Sequence, residues 1–168
     1  VVRRRFDRAH RETAVVYPAG LTVERAYDGA SRLSSMPNLV RTIEYTPRGL
    51  PSAVTFTNAV TTRSEYDTRL RLSRLVTSTA GAQAVFDLSF SRTRGGNLTA
   101  IADAATRASR ARHAARFTLD GWDRVTSAEL ERETGAETLS FAYDTIDNVT
   151  SQTSSLGDAS PMNAGAYA

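Results

Sequence analysis

His10 and His113 are the only histidines in the chain, and it has no cysteine. A transition-metal site draws on several His, Cys or carboxylate ligands, often with histidines three to five residues apart. His10 has Asp7 near it but no second His or Cys, so neither a metal nor a cofactor is expected. Hydroxyls are plentiful, yet no Gly-x-Ser-x-Gly elbow presents one as a nucleophile. Gly95-Gly96-Asn97 lacks the lysine of a phosphate loop. Glu129, Glu131, Glu133 and Glu137 contain the elements of an acid/base pair or a Ca²⁺ site. Their crowding into one short stretch reads instead as the solvated flank of a hairpin. The arginine run at 107–116 has the charge to take phosphate or sugar acids, and reads as a solvated loop face. Trp122, in Gly121-Trp122-Asp123-Arg124, offers a surface for sugar stacking, but a packing role is expected. No polar residue is singular, so the chain is not expected to be an enzyme.

The hydroxyls fail as catalysts for a positive reason: they recur. Pairs of an aromatic and an aspartate stand at Phe6-Asp7, Tyr27-Asp28, Tyr66-Asp67 and Tyr143-Asp144. Weaker copies are Tyr45-Thr46, Phe90-Ser91 and Leu119-Asp120. Five residues after these heads come Arg11, Arg32, Leu50, Arg71, Arg124 and Asn148. Seven residues after them come Thr13, Ser34, Ser52, Ser73, Thr126 and Thr150. The unit at Phe90 requires two extra residues around Arg94-Gly95-Gly96 before Asn97-Leu98-Thr99 falls into register. Nine residues on, an apolar site holds Val15, Met36, Val54, Leu75, Ile101 and Ala128, with Gln152 in the last unit. A period of about twenty residues is the signature of a repeat architecture.

Each unit divides into two short strands and two turns. Phe86, Leu88 and Phe90 alternate with polar neighbours, as do Leu139, Phe141 and Tyr143. Period two is the pattern of a half-buried strand. Gly, Asn and Pro-containing stretches, such as Pro18-Ala19-Gly20, reverse the chain between strands. The aspartate after each aromatic suits the other corner, where its carboxylate accepts backbone N–H bonds. The corner's fifth residue is Gly49 in one unit; His10, Ser31, Leu70, Asp123 and Asp147 hold the place in others. The stretch 102–117 is rich in Ala and Arg and has helix propensity; the repeat register favours loop and strand over helix there. The tail from 154 is read as a turn and a partial strand.

The formal net charge of +3 is a weak footprint for nucleic acid, and no nucleic-acid partner is expected. All 21 basic residues are arginine, a bias better explained by GC-rich coding than by a phosphate-binding surface. No apolar run approaches the roughly 18 residues that span a membrane as a helix. The start, Val-Val-Arg-Arg-Arg-Phe, has neither initiator methionine nor signal peptide, so a piece of a longer protein is expected. The sequons Asn97-Leu98-Thr99 and Asn148-Val149-Thr150 are the repeat motif itself.

The motif Tyr27-Asp28…Arg32-Leu33-Ser34, with Tyr66-Asp67…Arg71-Leu72-Ser73, Gly96-Asn97-Leu98-Thr99 and Tyr143-Asp144…Asn148-Val149-Thr150, resembles the Rhs or YD-repeat family. The resemblance covers about 6–152 and implies an all-β fold: a repetitive antiparallel β-hairpin array, a curved sheet segment of a larger YD-repeat β-shell. It implies one array over 1–168, of about seven units with heads near 6, 27, 45, 66, 90, 119 and 143. The repeat-signature residues are Phe6, Asp7, Tyr27, Asp28, Arg32, Tyr45, Gly49, Tyr66, Asp67, Arg71, Phe90, Gly96, Asn97, Asp120, Arg124, Tyr143, Asp144 and Asn148. In toxin members of the family the shell encloses a C-terminal toxic domain. The implied partners are therefore the remaining YD repeats of the parent chain and an enclosed toxin domain, in a secreted or cell-surface protein. The family's aspartate-protease motif has no match here, since Asp158-Ala159-Ser160-Pro161 departs from it. The alternative reading is adhesion or carbohydrate binding through Trp122 and exposed arginines.

Overall fold

The computed structural model describes residues 1–105, 114–132, 135–157 and 165–166. Every extended element is a short β-strand, as alternating, β-branched and aromatic-rich segments require. The contacts gather into two compact units, one of 1–65 with 75–85 and one of 66–74 with 86–168.

In the first unit, β1 (Arg3–Phe6), β2 (Glu12–Val16) and β3 (Thr22–Glu24) form an antiparallel sheet in chain order. Val15 stands opposite Val23, which places apolar side chains in register. Arg25 interrupts the rising strand and forms an ion pair with Glu12. Beyond it β4 (Ala26–Tyr27) pairs with β5 (Leu33–Ser35). Next come β6 (Val40–Tyr45), β7 (Pro51–Phe56) and β8 (Thr61–Tyr66), again antiparallel in chain order. Strand β9 (Leu72–Ser78) has residues assigned to each unit.

Strand β10 (Ala84–Arg92) likewise has residues assigned to each unit, and the second holds β11 (Leu98–Asp103), β12 (Ala115–Leu119), β13 (Val125–Arg132), β14 (Gly135–Tyr143), β15 (Val149–Ser154) and β16 (Gly165–Ala166). Consecutive strands pair antiparallel from β10 to β16. The cross-strand partners are apolar where the repeat demands it: Phe90 opposite Ile101, Phe117 opposite Ala128, Ala128 opposite Leu139. The ambiguous stretch 102–117 is extended at both described ends, with Ala100 opposite Arg116; its middle, 106–113, lies outside the described residues. So does most of the tail, of which 154–157, with a turn at 155–156, and β16 are the described parts.

Full burial is sparse and small. Among the described residues the buried apolar side chains are Ala14, Val15, Val40, Ala53, Ala105, Ala128 and Leu139. Alanine buries little area, so the hydrophobic term per strand is modest. Order in these hairpins must draw on polar contacts as well, and the recurring set of them sits at the corners that follow each aromatic head.

Candidate functional site: the Asp–Arg corners

The corner sequence Tyr-Asp-x-x-x-Arg folds into one hairpin turn, repeated. At residues 28–32, Asp28 N–H donates to the Arg32 carbonyl at 2.8 Å and Ser31 N–H donates to the Asp28 carbonyl at 3.0 Å. The same two bonds close 7–11, 46–50, 67–71, 93–97, 120–124 and 144–148. This is a three-residue hairpin loop whose last residue is left-handed, with a bulge where the strand enters. The left-handed residues are His10, Ser31, Gly49, Leu70, Gly96, Asp123 and Asp147. The place in the loop that glycine fills in two units is thus the place that needs positive φ. His10 is there too, exposed, in a backbone role.

The aspartate organises the turn. Asp28 Oδ1 accepts from Ala30 N at 2.9 Å and Arg32 N at 2.9 Å, and Oδ2 accepts from Arg32 Nε at 2.8 Å. Asp7 repeats the set with Ala9 and Arg11, Asp67 with Arg69 and Arg71, and Asp120 with Trp122 and Arg124. At the last corner Asn148 Nδ2 replaces the guanidinium, 2.9 Å from Asp144 Oδ2. Charge-assisted bonds of this kind are roughly twice as strong as neutral ones.

These carboxyls therefore sit below the usual carboxylate range. For Asp7, Asp28 and Asp67 the backbone N–H of the matching arginine is the largest cause, with its guanidinium adding to it. For Asp144 the Asn148 side-chain amide leads. At Asp120 desolvation pushes the carboxyl up, and the amides and guanidinium of the corner together outweigh it. Arg124 is held above its ordinary value by Asp120 and, against desolvation, by Asp147.

Each arginine also reaches forward to the next corner of its unit. Arg11 lies 4.8 Å from the centre of the Tyr27 ring and donates to Ser31 Oγ at 3.1 Å. Arg124 lies 4.6 Å from the Tyr143 ring and donates to Asp147 Oδ1 at 2.7 Å. Arg71 approaches Gly96 so closely that a Cβ there would stand 3.1 Å from its Nη1. In all three cases the target is the left-handed residue of the following corner. Arg32 covers Tyr45 at 4.3 Å. Such cation–ring contacts contribute about 0.5–1 kcal/mol when exposed.

The tyrosine answers in the opposite direction. Tyr27 donates its hydroxyl to the Glu12 carbonyl at 2.8 Å, Tyr45 to Leu33 at 2.7 Å and Tyr143 to Val125 at 2.7 Å. Each acceptor is the residue just after the previous corner's arginine. Tyrosine, aspartate and arginine thus make one device that closes a corner and ties it to the next.

The unit at Phe90 departs from the sequence register. The bulge that marks the head falls between Ser91 and Arg92, as it falls between Ala26 and Tyr27 or Ala142 and Tyr143. Arg92 therefore occupies the head place and Thr93 the aspartate place. Thr93 Oγ1 accepts from Gly96 N and Asn97 N, both at 3.2 Å. Counted from Arg92, no extra residues are needed. Arg92 Nη1 donates to the Leu72 carbonyl at 2.6 Å, the bond a tyrosine hydroxyl makes elsewhere, while its guanidinium lies 5.7 Å from the Phe90 ring. Thr46 is the other hydroxyl corner, accepting from Leu50 N at 3.1 Å.

Solved structures share this fold. The chain superposes on "TcdB2-TccC3" with a TM-score of 0.82 at 17% identity, over 95% of its own length and 9% of that chain. On the Photorhabdus luminescens Tc holotoxin pore the TM-score is 0.82 at 17% identity, over 92% and 9%. On TcdB2-TccC3 without its hypervariable C-terminal region it is 0.81 at 18%, over 94% and 9%. The chain has the fold of a segment of these toxin-complex structures. The YD-repeat resemblance is borne out as an all-β array of antiparallel hairpins, and the chain spans about a tenth of the chains it matches. No protein-family model and no curated protein sequence matches it.

Other residues singled out in the sequence fall as follows. Trp122 does not pack: it is 82% exposed at the tip of its corner. Glu129 and Glu131 are exposed on β13, as a solvated flank requires. Glu137 is not part of that flank. It stands opposite Leu130, fully buried, and accepts the Ser154 hydroxyl at 2.7 Å. Glu133 and the arginines of 107–112 lie outside the described residues. Among the described residues no helix is long and apolar enough to cross a membrane.

Proposed function

We propose that this chain is a wall segment of a shell that encloses a C-terminal toxin domain in a secreted protein until delivery. The observation that carries the reading is the corner device, in which Arg11, Arg32, Arg71 and Arg124 with Tyr27, Tyr45 and Tyr143 close hairpins and tie each to the next. A wall needs that repetition and needs no reactive centre. The likeness to toxin-complex structures supports the same reading. The remaining repeats of the parent protein and the enclosed domain are its partners, and it holds no cofactor.

The test is protection. The parent protein, expressed with its downstream domain, is digested with trypsin before and after deletion of residues 6–152. Enclosure predicts that the downstream domain survives in the intact protein and is degraded in the deletion. Equal degradation in both would end the proposal. A second reading, carbohydrate binding at a cell surface, is favoured by one observation, the exposure of Trp122. A glycan array that binds the chain but not Trp122→Ala would support it.

A further inference from the structure

The five aspartate corners differ in the residue that follows the carboxylate. Asp7 is followed by Arg8, Asp67 by Thr68 and Asp144 by Thr145, but Asp28 is followed by Gly29 and Asp120 by Gly121. These are the only two Asp-Gly steps in the sequence, and it contains no Asn-Gly step. The fold does not ask for glycine at either place. Neither Gly29 nor Gly121 has a positive φ, and a Cβ on either would meet nothing within 4 Å. Both are exposed at the tip of the loop.

Asp-Gly has a chemistry of its own. The glycine amide nitrogen attacks the aspartyl Cγ. A Cγ–N bond forms, a Cγ–O bond breaks, and the amide hydrogen and carboxyl hydroxyl leave as water. Water then reopens the five-membered ring at either carbonyl, giving aspartate or isoaspartate, in which the chain runs through Cγ. Glycine permits the attack because no side chain crowds its nitrogen. The reaction needs the protonated carboxyl, whose hydroxyl can leave, and a Cγ free to turn toward the following nitrogen.

The corner denies both conditions. Asp28 Oδ1 reaches past Gly29 to the amides of Ala30 and Arg32, and Oδ2 is held by Arg32 Nε at 2.8 Å and Nη2 at 2.7 Å. Asp120 Oδ1 reaches past Gly121 to Trp122 and Arg124, and Oδ2 is held by Arg124 Nε at 2.7 Å. We propose that Asp28-Gly29 and Asp120-Gly121 are latent isoaspartate sites, and that Arg32 and Arg124 keep them unreacted by holding the carboxylate ionised and turned away from the glycine nitrogen. Isomerisation would lengthen the backbone by one carbon and move the carboxylate off its amides. A corner that opened reversibly would then be lost for good.

The experiment is peptide mapping of isoaspartate in the 168-residue chain, incubated at pH 5 and 37 °C natively and in urea. Reaction through local opening alone should make both sites about tenfold or more slower in the native chain. Arg32→Gln should accelerate Asp28 and leave Asp120 slow, and Arg124→Gln should do the reverse. Amide hydrogen exchange in the strands flanking the substituted corner, β4 and β5 for Asp28 and β12 and β13 for Asp120, reports whether each variant is still folded there; if that exchange also accelerates, the milder Arg32→Lys and Arg124→Lys variants decide. Equal rates in native and unfolded wild type, or folded variants that react no faster than wild type, would overturn the proposal.

Discussion

The corners at 120–124 and 93–97 have the same backbone and different chemistry. Both close with the same pair of main-chain bonds and both turn on a left-handed residue, Asp123 in one and Gly96 in the other. In the first a carboxylate binds two amides and a guanidinium. In the second the Thr93 hydroxyl binds two amides at 3.2 Å each and engages no cation. The main chain therefore sets the turn, and the side chains set how firmly it is held. A repeat can drift from aspartate to threonine without losing its shape, because an oxygen acceptor at that place is the minimum the loop requires.

Breaking each corner by alanine is the sharpest test of that difference. Asp120→Ala should lower the midpoint of thermal unfolding about twice as much as Thr93→Ala, in proportion to the strength of charge-assisted against neutral bonds. Equal shifts would mean that the arginine adds nothing. Acid should act on the same difference. The folded-state carboxyls of Asp7, Asp28, Asp67, Asp120 and Asp144 lie below their ordinary value. The unfolded chain therefore takes up protons first as pH falls. The stability that these groups contribute is full above the unfolded carboxylate pKa and is lost as pH drops through the folded one. Unfolding midpoints measured from pH 7 to pH 2 should fall below about pH 4, with a shallower fall in Asp120→Asn.

Smaller changes refine the comparison. Tyr143→Phe removes the hydroxyl bonded to the Val125 carbonyl and keeps the ring under Arg124, so it should cost about 1 kcal/mol in urea unfolding. Installing the missing device with Thr93→Asp together with Asn97→Arg should stabilise by about 0.5 kcal/mol, the scale of an exposed ion pair, and that gain should disappear in high salt.

The sequence exposed the repeat because spacing survives in one dimension. Tyr27-Asp28 and Arg32, or Tyr143-Asp144 and Asn148, could be aligned by counting, and aspartate after an aromatic implied a carboxylate-capped turn. The left-handed place was legible only where Gly49 or Gly96 filled it; Leu70 and Ser31 carry no such signal. The link between corners was not legible, because Arg11 and Tyr27 meet only after two strands have paired. Phe90 misled for a related reason. An aromatic two residues before the corner resembles a head, and only the bulge at Arg92 shows which residue turns the chain. An arginine doing the work of a tyrosine hydroxyl has no sequence pattern to announce it. Trp122 was expected to pack because large rings usually do; the loop tip on which it stands offers nothing to pack against.

Among the described residues the aspartate corners lie at one end of their hairpins only. At the other end the turns 17–21, 56–60 and 79–83 close with the same main-chain bonds, and Asn58 adds one side-chain bond to Val60 N at 3.1 Å. A hairpin between such a turn and an aspartate corner therefore has a fastened end and a loose one, which gives its opening a direction. Strands should part from the loose turns and unzip toward the fastened corners. Amide hydrogen exchange would record this as a gradient along the strands that join these turns to aspartate corners, fastest beside Gly20, Ala59 and Ala82 and slowest beside Asp28 and Asp67.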